Sequence, residues 1–361
     1  MRIGIDARLA GLKHAGIGRY IEELLRSLLR TDAQHQWVVF LHSEGQLPWL
    51  EADERVEIRY APIKHYTLME QIMMPKVYEQ ASLDLLHIPH FNVPLGYKKP
   101  YVVTIHDLLW HERRDRSATT LSPLMHLLKY RTYRYISETA IRNAKAVFVP
   151  TEHVKHIVER YTVSDRVFVT PEGVSSSYKI DGPKAERPYP FIVYTGSLYP
   201  HKNAPFILEL LLREQELHAV IVSGRSVFHS TFWDEVKHRK LETRVHLDGY
   251  LPDNEVAALY RSAVALIFPS FSEGFGLPGL EAIACGAPVM ASDISVFHEV
   301  YGKAALYFSP FDVSSCVKEL KRLKSESVVR TLRNASEDIL KKYSWNHMAK
   351  DTLRVYEQVG E

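Results

Sequence analysis

The chain has 361 residues, of which 46% are hydrophobic, so it is long enough to bury a large core and to form two domains rather than one. Its formal net charge of +2 argues against a dedicated nucleic-acid binder, because such proteins carry a clear basic excess. The two cysteines, Cys285 and Cys316, are too few for a disulfide framework or a cysteine zinc site and fit a reducing cytoplasm.

The chain opens on an apolar run, Arg2–Asp6, that predicts a buried strand and leaves no room for a signal peptide. No apolar run approaches the roughly 18 residues that a membrane-spanning helix needs. We therefore expect a cytoplasmic protein that is soluble or lies peripherally on the cytoplasmic face of a membrane.

Short apolar runs alternate with helical stretches along the chain, which is the pattern of an α/β protein with parallel sheets. In the first half the predicted strands are Arg2–Asp6, Trp37–Leu41, Val56–Tyr60, Leu85–Ile88, Tyr101–Ile105, Ala146–Pro150 and Val167–Thr170. In the second half they are Phe191–Tyr194, Ala219–Ser223, Val245–Asp248, Val264–Pro269, Pro288–Ala291 and Ala305–Phe308. The polar, proline-containing stretch at residues 175–190 predicts the domain boundary.

A glycine-rich turn within Ser272–Ser292 separates two carboxylates, Glu273 and Glu281. Gly274 and Gly276 precede Pro278, and we expect a helix from Pro278 to about Cys285 with Glu281 in its first turn. Unpaired amide groups at such a helix start bind phosphate or another anion. The turn alone is equally typical of tight packing of a helix on a sheet.

Three segments carry a resemblance to a known family. The first is Glu273, GFGLP and Glu281 with the small-residue turn 285–289; the second is GIDARLAGLKHAGIGRYIEEL near the start; the third is TGSLYPHKN at Thr195–Asn203. Together they resemble the retaining glycosyltransferases of family 4, and TGSLYPHKN is most similar to mannosyltransferases of bacterial polysaccharide pathways.

The resemblance implies the GT-B fold, with two doubly wound Rossmann-like domains facing a central cleft. Residues 1–176 would form the acceptor-side domain, joined by a returning C-terminal helix at residues 342–361. Residues 177–341 would form the donor-binding domain.

The resemblance also implies roles for individual residues. Glu281 would bind the ribose hydroxyls, and Glu273 with the amides of Gly274, Phe275, Gly276 and Leu277 would bind the donor sugar and phosphate. The Gly16 loop, before a helix expected to begin near Gly18, would close over the donor diphosphate, and Arg19 would lie near phosphate or acceptor. On spacing alone, these glycines merely turn the chain and Arg19 is a solvated residue.

His106 and Asp107 follow a predicted strand directly, where functional groups collect in a wound sheet. A single histidine is usually structural, and Asp107 could cap a turn. By family resemblance His106 contacts the donor hexose and acts in catalysis, although neither as nucleophile nor as general base, and Asp107 lies on the acceptor or phosphate side.

Departure of a nucleoside diphosphate builds negative charge on phosphate oxygen, which a cation must stabilise. The chain has no Asp-x-Asp, so we expect no metal and no cofactor, with Lys202 as the leading cation. His106, Lys202 and Glu273 are therefore the expected catalytic residues. Ser197 stands where the family commonly has an arginine, and His201 is either a partial substitute or an exposed loop residue.

Residues 111–145 predict a basic, aromatic helix. Eight lysines and arginines stand against three acids, a net charge of +5. One interpretation is a surface that docks on anionic lipid or a lipid-diphosphate acceptor; the other is an ordinary solvated helix.

We therefore expect a retaining, metal-independent glycosyltransferase that moves a hexose, with mannose favoured, to a glycan or lipid-linked acceptor in polysaccharide or cell-envelope assembly. GDP-mannose is the favoured donor and a UDP-sugar is the other candidate. The alternatives are a nucleotide-sugar 2-epimerase of the same fold and a nucleotide-sugar-binding protein without turnover.

Overall fold

The computed structural model describes residues 1–11, 15–50, 52–112, 123–224 and 226–360. The chain divides into two compact units. Unit 1 comprises Met1–Gly173 and Ser344–Glu361, and unit 2 comprises Val174–Tyr343.

Each unit is built on one sheet of parallel strands. The strands of unit 1 are β1 (Arg2–Asp6), β2 (Gln36–Leu41), β3 (Val56–Tyr60), β4 (Leu85–Ile88), β5 (Tyr101–Thr104), β6 (Ala146–Val149) and β7 (Val167–Val169). Those of unit 2 are β8 (Phe191–Thr195), β9 (His218–Val222), β10 (Val245–Gly249), β11 (Leu266–Phe268), β12 (Val289–Ser292) and β13 (Ala305–Phe308). All the predicted strands are present, with ends that differ by at most two residues.

Helices connect these strands. Unit 1 contains α1 (Ala15–Thr31), α2 (Leu68–Glu79), α3 (Leu109–Glu112), α4 (Pro123–Asn143) and α5 (Glu152–Val158). Unit 2 contains α6 (Pro205–Arg213), α7 (His229–His238), α8 (Asp253–Ser262), α9 (Leu277–Ala284), α10 (Ser295–Tyr301), α11 (Val313–Arg322) and α12 (Glu326–Lys342). The last helix, α13 (Trp345–Gly360), belongs to unit 1.

Strand order places a topological switch point in each sheet. The first sheet runs β3-β2-β1-β4-β5-β6-β7 and the second runs β10-β9-β8-β11-β12-β13. The order reverses between β1 and β4 in unit 1 and between β8 and β11 in unit 2. Ligands of open α/β sheets bind beyond the carboxyl ends of the strands at such points.

Helix α13 is fixed to unit 1 by a buried polar chain. The Tyr356 hydroxyl lies 2.5 Å from His87 Nδ1, and His87 Nε2 lies 2.7 Å from Thr104 Oγ1. Gly173, the last residue of the Met1–Gly173 segment, packs against the start of α13. A Cβ on Gly173 would lie 2.2 Å from the Trp345 backbone nitrogen. The returning helix is therefore part of the unit 1 core.

Helix α1 begins earlier than predicted. It begins at Ala15, so Gly16 and Gly18 lie in its first turn and not in a preceding loop. Gly18 is required by packing, because a Cβ there would lie 2.0 Å from the Gly11 carbonyl oxygen. Among the described residues, no helix is long and apolar enough to span a bilayer.

Candidate functional site

The donor-side residues predicted from sequence gather at the switch point of unit 2. Ser197 and Lys202 follow β8, and Glu273 follows β11, which is the neighbour of β8 in the sheet. Two contacts tie these loops together: the Phe271 amide donates to the His201 carbonyl at 2.8 Å, and Asn203 Nδ2 donates to the Pro269 carbonyl at 3.1 Å. Residues far apart in sequence are thus held at one edge of the sheet.

Lys202 and Glu273 form an ion pair at the centre of this site. The Lys202 ammonium donates to both Glu273 carboxylate oxygens, at 2.7 and 2.6 Å, and Ser270 Oγ donates to Glu273 Oε1 at 2.7 Å. The Lys202 side chain is 20% exposed and that of Glu273 is 9% exposed. The pair is therefore largely shielded but still reached by solvent.

The pair keeps hydrogen-bonding capacity for a ligand. An ammonium group has three donors, of which Lys202 gives two to Glu273. A carboxylate accepts about four hydrogen bonds, and Glu273 accepts three of them from Lys202 and Ser270. One cationic donor and one anionic acceptor remain side by side, which suits a phosphate oxygen next to a sugar hydroxyl.

Two buried tyrosines hold the loops around the pair. The Tyr194 hydroxyl donates to the Ser197 carbonyl and the Tyr301 hydroxyl donates to the Gly276 carbonyl, each at 2.5 Å. Burial, together with the negative charge of Glu273, raises the pKa of both hydroxyls well above its usual value. Both therefore stay protonated at neutral pH and remain donors.

The packing of α9 requires Gly276 and Gly279, whatever ligand the glycine-rich turn binds. Gly276 caps α9 with φ of 102°, and a Cβ there would lie 2.3 Å from the Tyr301 hydroxyl oxygen. A Cβ on Gly279 would lie 2.3 Å from the same ring. The Phe275 ring is buried and packs edge-on against the Tyr343 ring, with the two ring centroids 5.4 Å apart. Only the backbone of Phe275 could therefore contact a bound donor substrate.

The predicted start of α9 was wrong by one residue. The left-handed backbone of Gly276 makes Leu277 the first helical residue, so Pro278 is the second and Glu281 the fifth. Glu281 therefore lies beyond the first turn, where the helix dipole supports a negative charge less. Glu281 is buried, with only 5% of the residue exposed.

In unit 1 the predicted residues lie in two places: Gly16 and Arg19 on α1, and His106 and Asp107 directly after β5. Gly16 is exposed on the first turn of α1, and a Cβ there would meet no atom of the described residues within 4 Å, so packing against those residues does not demand a glycine. Arg19 is half-buried on the same helix.

His106 follows β5 and is held from three sides. Its Nε2 donates to the Pro89 carbonyl at 3.2 Å, its Nδ1 lies 3.7 Å from Glu172 Oε1, and its ring meets Tyr20 edge-on at 4.6 Å. Asp107 accepts from the Leu109 amide at 3.2 Å and so caps the start of α3. The turn-capping alternative for Asp107 is thus present in the structure, whether or not its carboxylate also meets a ligand.

Sequence reasoning missed a buried ionic network at the switch point of unit 1. Arg8 donates to Asp6 at 2.7 Å and to Glu70 at 2.8 Å, and all three side chains are at most 4% exposed. The charge of Arg8 keeps the pKa of Asp6 well below its usual range despite burial. The only local signal was the pair of charged residues inside the apolar GIDARLAG segment. Ser270 and Glu172, which contact predicted residues, were missed because a lone serine or glutamate carries no spacing signal.

The basic stretch is only partly described. The cations at residues 113, 114 and 116 lie outside the described residues, whereas α4 carries Arg131 and Arg134. Arg134 pairs with Glu138 at 2.6 Å along the helix. Within the described ranges, no cluster of three His, Cys, Asp or Glu side chains could hold a metal ion.

Two family models match the chain in succession. Residues 14–178 match the model described as Glycosyltransferase Family 4, and residues 179–342 match the model described as Glycosyl transferases group 1.

Curated relatives cover most of the chain at modest identity. The O-antigen chain mannosyltransferase RfbU of Salmonella typhimurium is 27% identical over 268 residues, covering 73% of this chain and 72% of that protein. The O-antigen chain mannosyltransferase B of Escherichia coli is 26% identical over 374 residues, covering 94% of this chain and 95% of that protein.

Solved structures share the architecture. Sucrose-phosphate synthase from Thermosynechococcus elongatus superposes with a TM-score of 0.82 at 16% identity, covering 99% of both chains. HepE from Anabaena, solved in complex with UDP and glucose, gives a TM-score of 0.76 at 16% identity over 99% of both chains. Such low identities bear on the fold alone, and the expected GT-B fold is confirmed.

Proposed function

The chain belongs to the family 4, group 1 glycosyltransferases, and on that premise we propose that it transfers mannose from GDP-mannose, with retention at the anomeric carbon and without a metal ion. The acceptor would be a glycan or lipid-linked glycan in polysaccharide or cell-envelope assembly. Mannose and this setting are supported by the relatives of Salmonella typhimurium and Escherichia coli, which are O-antigen chain mannosyltransferases. The nucleotide-sugar donor is supported by the UDP and glucose bound to the structural neighbour.

The Lys202–Glu273 pair at the unit 2 switch point is the observation that carries the proposal. Its unused ammonium donor would bind a diphosphate oxygen, and its unused carboxylate capacity would bind a hydroxyl of the donor hexose. The amides from Gly274 to Leu277, at the start of α9, would add donors for the same phosphate. Glu281 would accept from the ribose hydroxyls.

In this mechanism the leaving diphosphate gains negative charge as its bond to the anomeric carbon breaks. Lys202 and the α9 amides would stabilise that charge in place of a metal. The leaving phosphate would take the acceptor proton on the same face, so no protein base is required for retention. His106 would contact the hexose, and Arg19 and Asp107 would lie on the acceptor or phosphate side.

A thermal-shift series with GDP, UDP and ADP tests the donor assignment. A ligand of the folded state raises the melting temperature by mass action, and saturation at about 100 times Kd stabilises by about 2.7 kcal/mol. We expect GDP to raise it most. A larger shift with UDP would replace the guanine assignment, and no shift with any nucleotide would contradict the proposal.

We also propose peripheral contact between the basic α4 region and an anionic membrane at the cytoplasmic face. Each basic residue near such a surface contributes about 1 kcal/mol. Replacing Arg131 and Arg134 with glutamine should weaken co-sedimentation with anionic vesicles and leave nucleotide affinity unchanged. Equal sedimentation with anionic and neutral vesicles would instead identify α4 as an ordinary solvated helix.

A further inference from the structure

Helix α2 carries an apolar face that the unit 1 core does not cover. Four large side chains on it are exposed: Leu68 by 75%, Met69 by 56%, Ile72 by 57% and Met73 by 44%. Residues spaced by three or four positions, as Leu68 and Ile72 or Met69 and Met73 are, lie on one side of a helix. A solvated helix normally carries charged residues on such a side, and a contiguous apolar surface marks a binding surface.

Tyr66, just before this helix, has a strained backbone. Its φ is 63°, in the left-handed region that a bulky residue rarely adopts. The Glu70 carboxylate holds it there by accepting from the Tyr66 amide at 2.7 Å. Strain that the surrounding structure maintains is a reason to look for function.

The hydroxyl end of Tyr66 is fixed as well. His90 Nδ1 accepts from the Asn92 amide at 3.2 Å, which assigns the ring proton to Nε2. Nε2 therefore donates to the Tyr66 oxygen, 2.7 Å away, and the hydroxyl hydrogen of Tyr66 stays available to another acceptor. Burial, with the charges of Glu70 and Asp107, raises the pKa of Tyr66, so the hydroxyl is protonated at neutral pH.

Tyr66 is nonetheless largely open to solvent. The residue is 58% exposed, although its ring also meets the His90 and Phe91 rings, with centroids 5.3 and 5.9 Å away. A rigid ring with an exposed surface and a polar end suits stacking against the C–H face of a sugar. The Tyr66 hydroxyl oxygen bonds to His90, which follows β4, and Asp107, which we propose for the acceptor or phosphate side, follows the neighbouring strand β5.

The neighbouring His65 offers a second polar contact. Its Nδ1 lies 3.0 Å from Glu70 Oε1, whereas its Nε2 is buried and finds no hydrogen-bond partner among the described residues. A buried polar atom without a partner is uncommon and calls for an explanation. That atom is closed to solvent in this conformation, so a sugar hydroxyl would become its partner only once the imidazole ring turns outward.

We propose that Tyr66 and the apolar face of α2 bind an amphiphilic acceptor, with a hexose ring on Tyr66 and the lipid portion along Leu68, Met69, Ile72 and Met73. This rests on the proposed function and specifies its acceptor as lipid-linked. The exposed Lys64 and Lys76 flank the apolar face and would complement the negative charge of a lipid phosphate.

Calorimetry with two mannosides tests the surface directly. Methyl α-mannopyranoside probes the sugar contact, and octyl α-mannopyranoside adds a short apolar chain. Burying part of that chain should make the octyl glycoside bind about tenfold tighter than the methyl glycoside. The double variant Leu68→Ser/Ile72→Ser should lose this gain, and Val163→Ser is the matched control because Val163 is 57% exposed elsewhere in unit 1.

The variant Tyr66→Gly distinguishes the contribution of the tyrosine ring from that of the strained backbone. Glycine adopts the left-handed conformation without strain, which offsets part of the stability lost when buried His90 Nε2 loses its acceptor, so the melting temperature should fall only modestly. The variant should nevertheless lose about tenfold in affinity for both glycosides, as the ring is gone. Tyr66→Phe keeps the ring and should retain most of the affinity.

Nucleotide titration of the same samples separates this inference from the proposed function. Unchanged octyl affinity in the α2 double variant, or unchanged glycoside affinity in Tyr66→Gly, would overturn the acceptor surface while nucleotide binding stands. Failure of every nucleotide to bind would overturn the donor assignment. The acceptor surface would then still stand or fall on the glycoside affinities alone.

Discussion

Arg8 in unit 1 and Lys202 in unit 2 both pair with a glutamate at a sheet switch point, yet their surroundings differ. The Arg8 side chain is 1% exposed, and four of its five N–H donors are bonded to Asp6, Glu70 and the Ile63 carbonyl. The Lys202 side chain is 20% exposed and has a donor left over.

The difference distinguishes a charge that organises the fold from one that can serve a ligand. Charges taken fully out of water are stable only when their partners are all present. A charge that is partly exposed and has spare bonding capacity can exchange a partner for substrate. The following predictions test this distinction.

The largest expected effect is on the stability of unit 1. Arg8→Met would leave the carboxylates of Asp6 and Glu70 buried without their cation, and we expect a loss of about 3–5 kcal/mol in free energy of unfolding by denaturant titration. Arg55→Met is the control, since that exposed pair with Asp53 should contribute less than about 1 kcal/mol. Equal losses of unfolding free energy in Arg8→Met and Arg55→Met would contradict a structural role for the Arg8 charge.

Lys202→Ala should affect catalysis much more than stability. We expect kcat/KM to fall roughly a hundredfold, about 2.7 kcal/mol of transition-state stabilisation, because the leaving diphosphate loses its cation. The free energy of unfolding should fall by less than in Arg8→Met, because solvent reaches the Lys202–Glu273 pair. Lys303→Ala, a lysine elsewhere in unit 2, serves as the control. A large loss of stability with normal turnover in the folded fraction would make Lys202 a structural residue like Arg8.

Glu281→Ala should weaken nucleotide binding by about 1–3 kcal/mol, since two ribose hydroxyls would lose a charged acceptor. Isothermal calorimetry with the nucleoside diphosphate measures this. An unchanged dissociation constant would mean that buried Glu281 supports α9 alone.

The pH dependence of unit 1 stability should include a contribution from buried His87. Burial lowers the pKa of His87 to about 3, whereas in the unfolded chain it titrates near its usual 6.5. Between these values the unfolded state binds a proton that the folded state does not, so stability falls as pH falls from 6.5 towards 3, by up to about 1.4 kcal/mol per pH unit. His87→Gln should reduce the slope of that part of a pH series of denaturant titrations, while His90 and His111, whose pKa values burial also lowers, keep the remainder. The same slope in both proteins would contradict a neutral His87.

The sequence predicted the sheets and the glycine-rich turn before α9 well for a physical reason. Buried parallel strands are continuous apolar runs, and Glu273, Gly276 and Glu281 share one short segment. The start of α1 was misplaced because Gly16 and Gly18 lie inside its first turn instead of before it, and the start of α9 because Pro278 takes the second helical position instead of the first.

The unit 1 surface was not predictable in the same way. Tyr66, Glu70 and His90 come together only through the fold, and neither the strain of Tyr66 nor the exposure of α2 is visible in the spacing of residues. Motifs report chemistry that is contiguous in sequence, whereas buried networks assembled from separate elements require coordinates.

The central claim is that Lys202 and the α9 amides support retaining transfer without a metal ion. Proton NMR of the first-formed product, from a reaction of GDP-mannose with an accepted glycoside in the presence of EDTA, tests it most directly. We expect an α-mannoside, formed at the same rate with and without the chelator. A β-mannoside, or activity abolished by EDTA and restored by magnesium or manganese, would contradict the account.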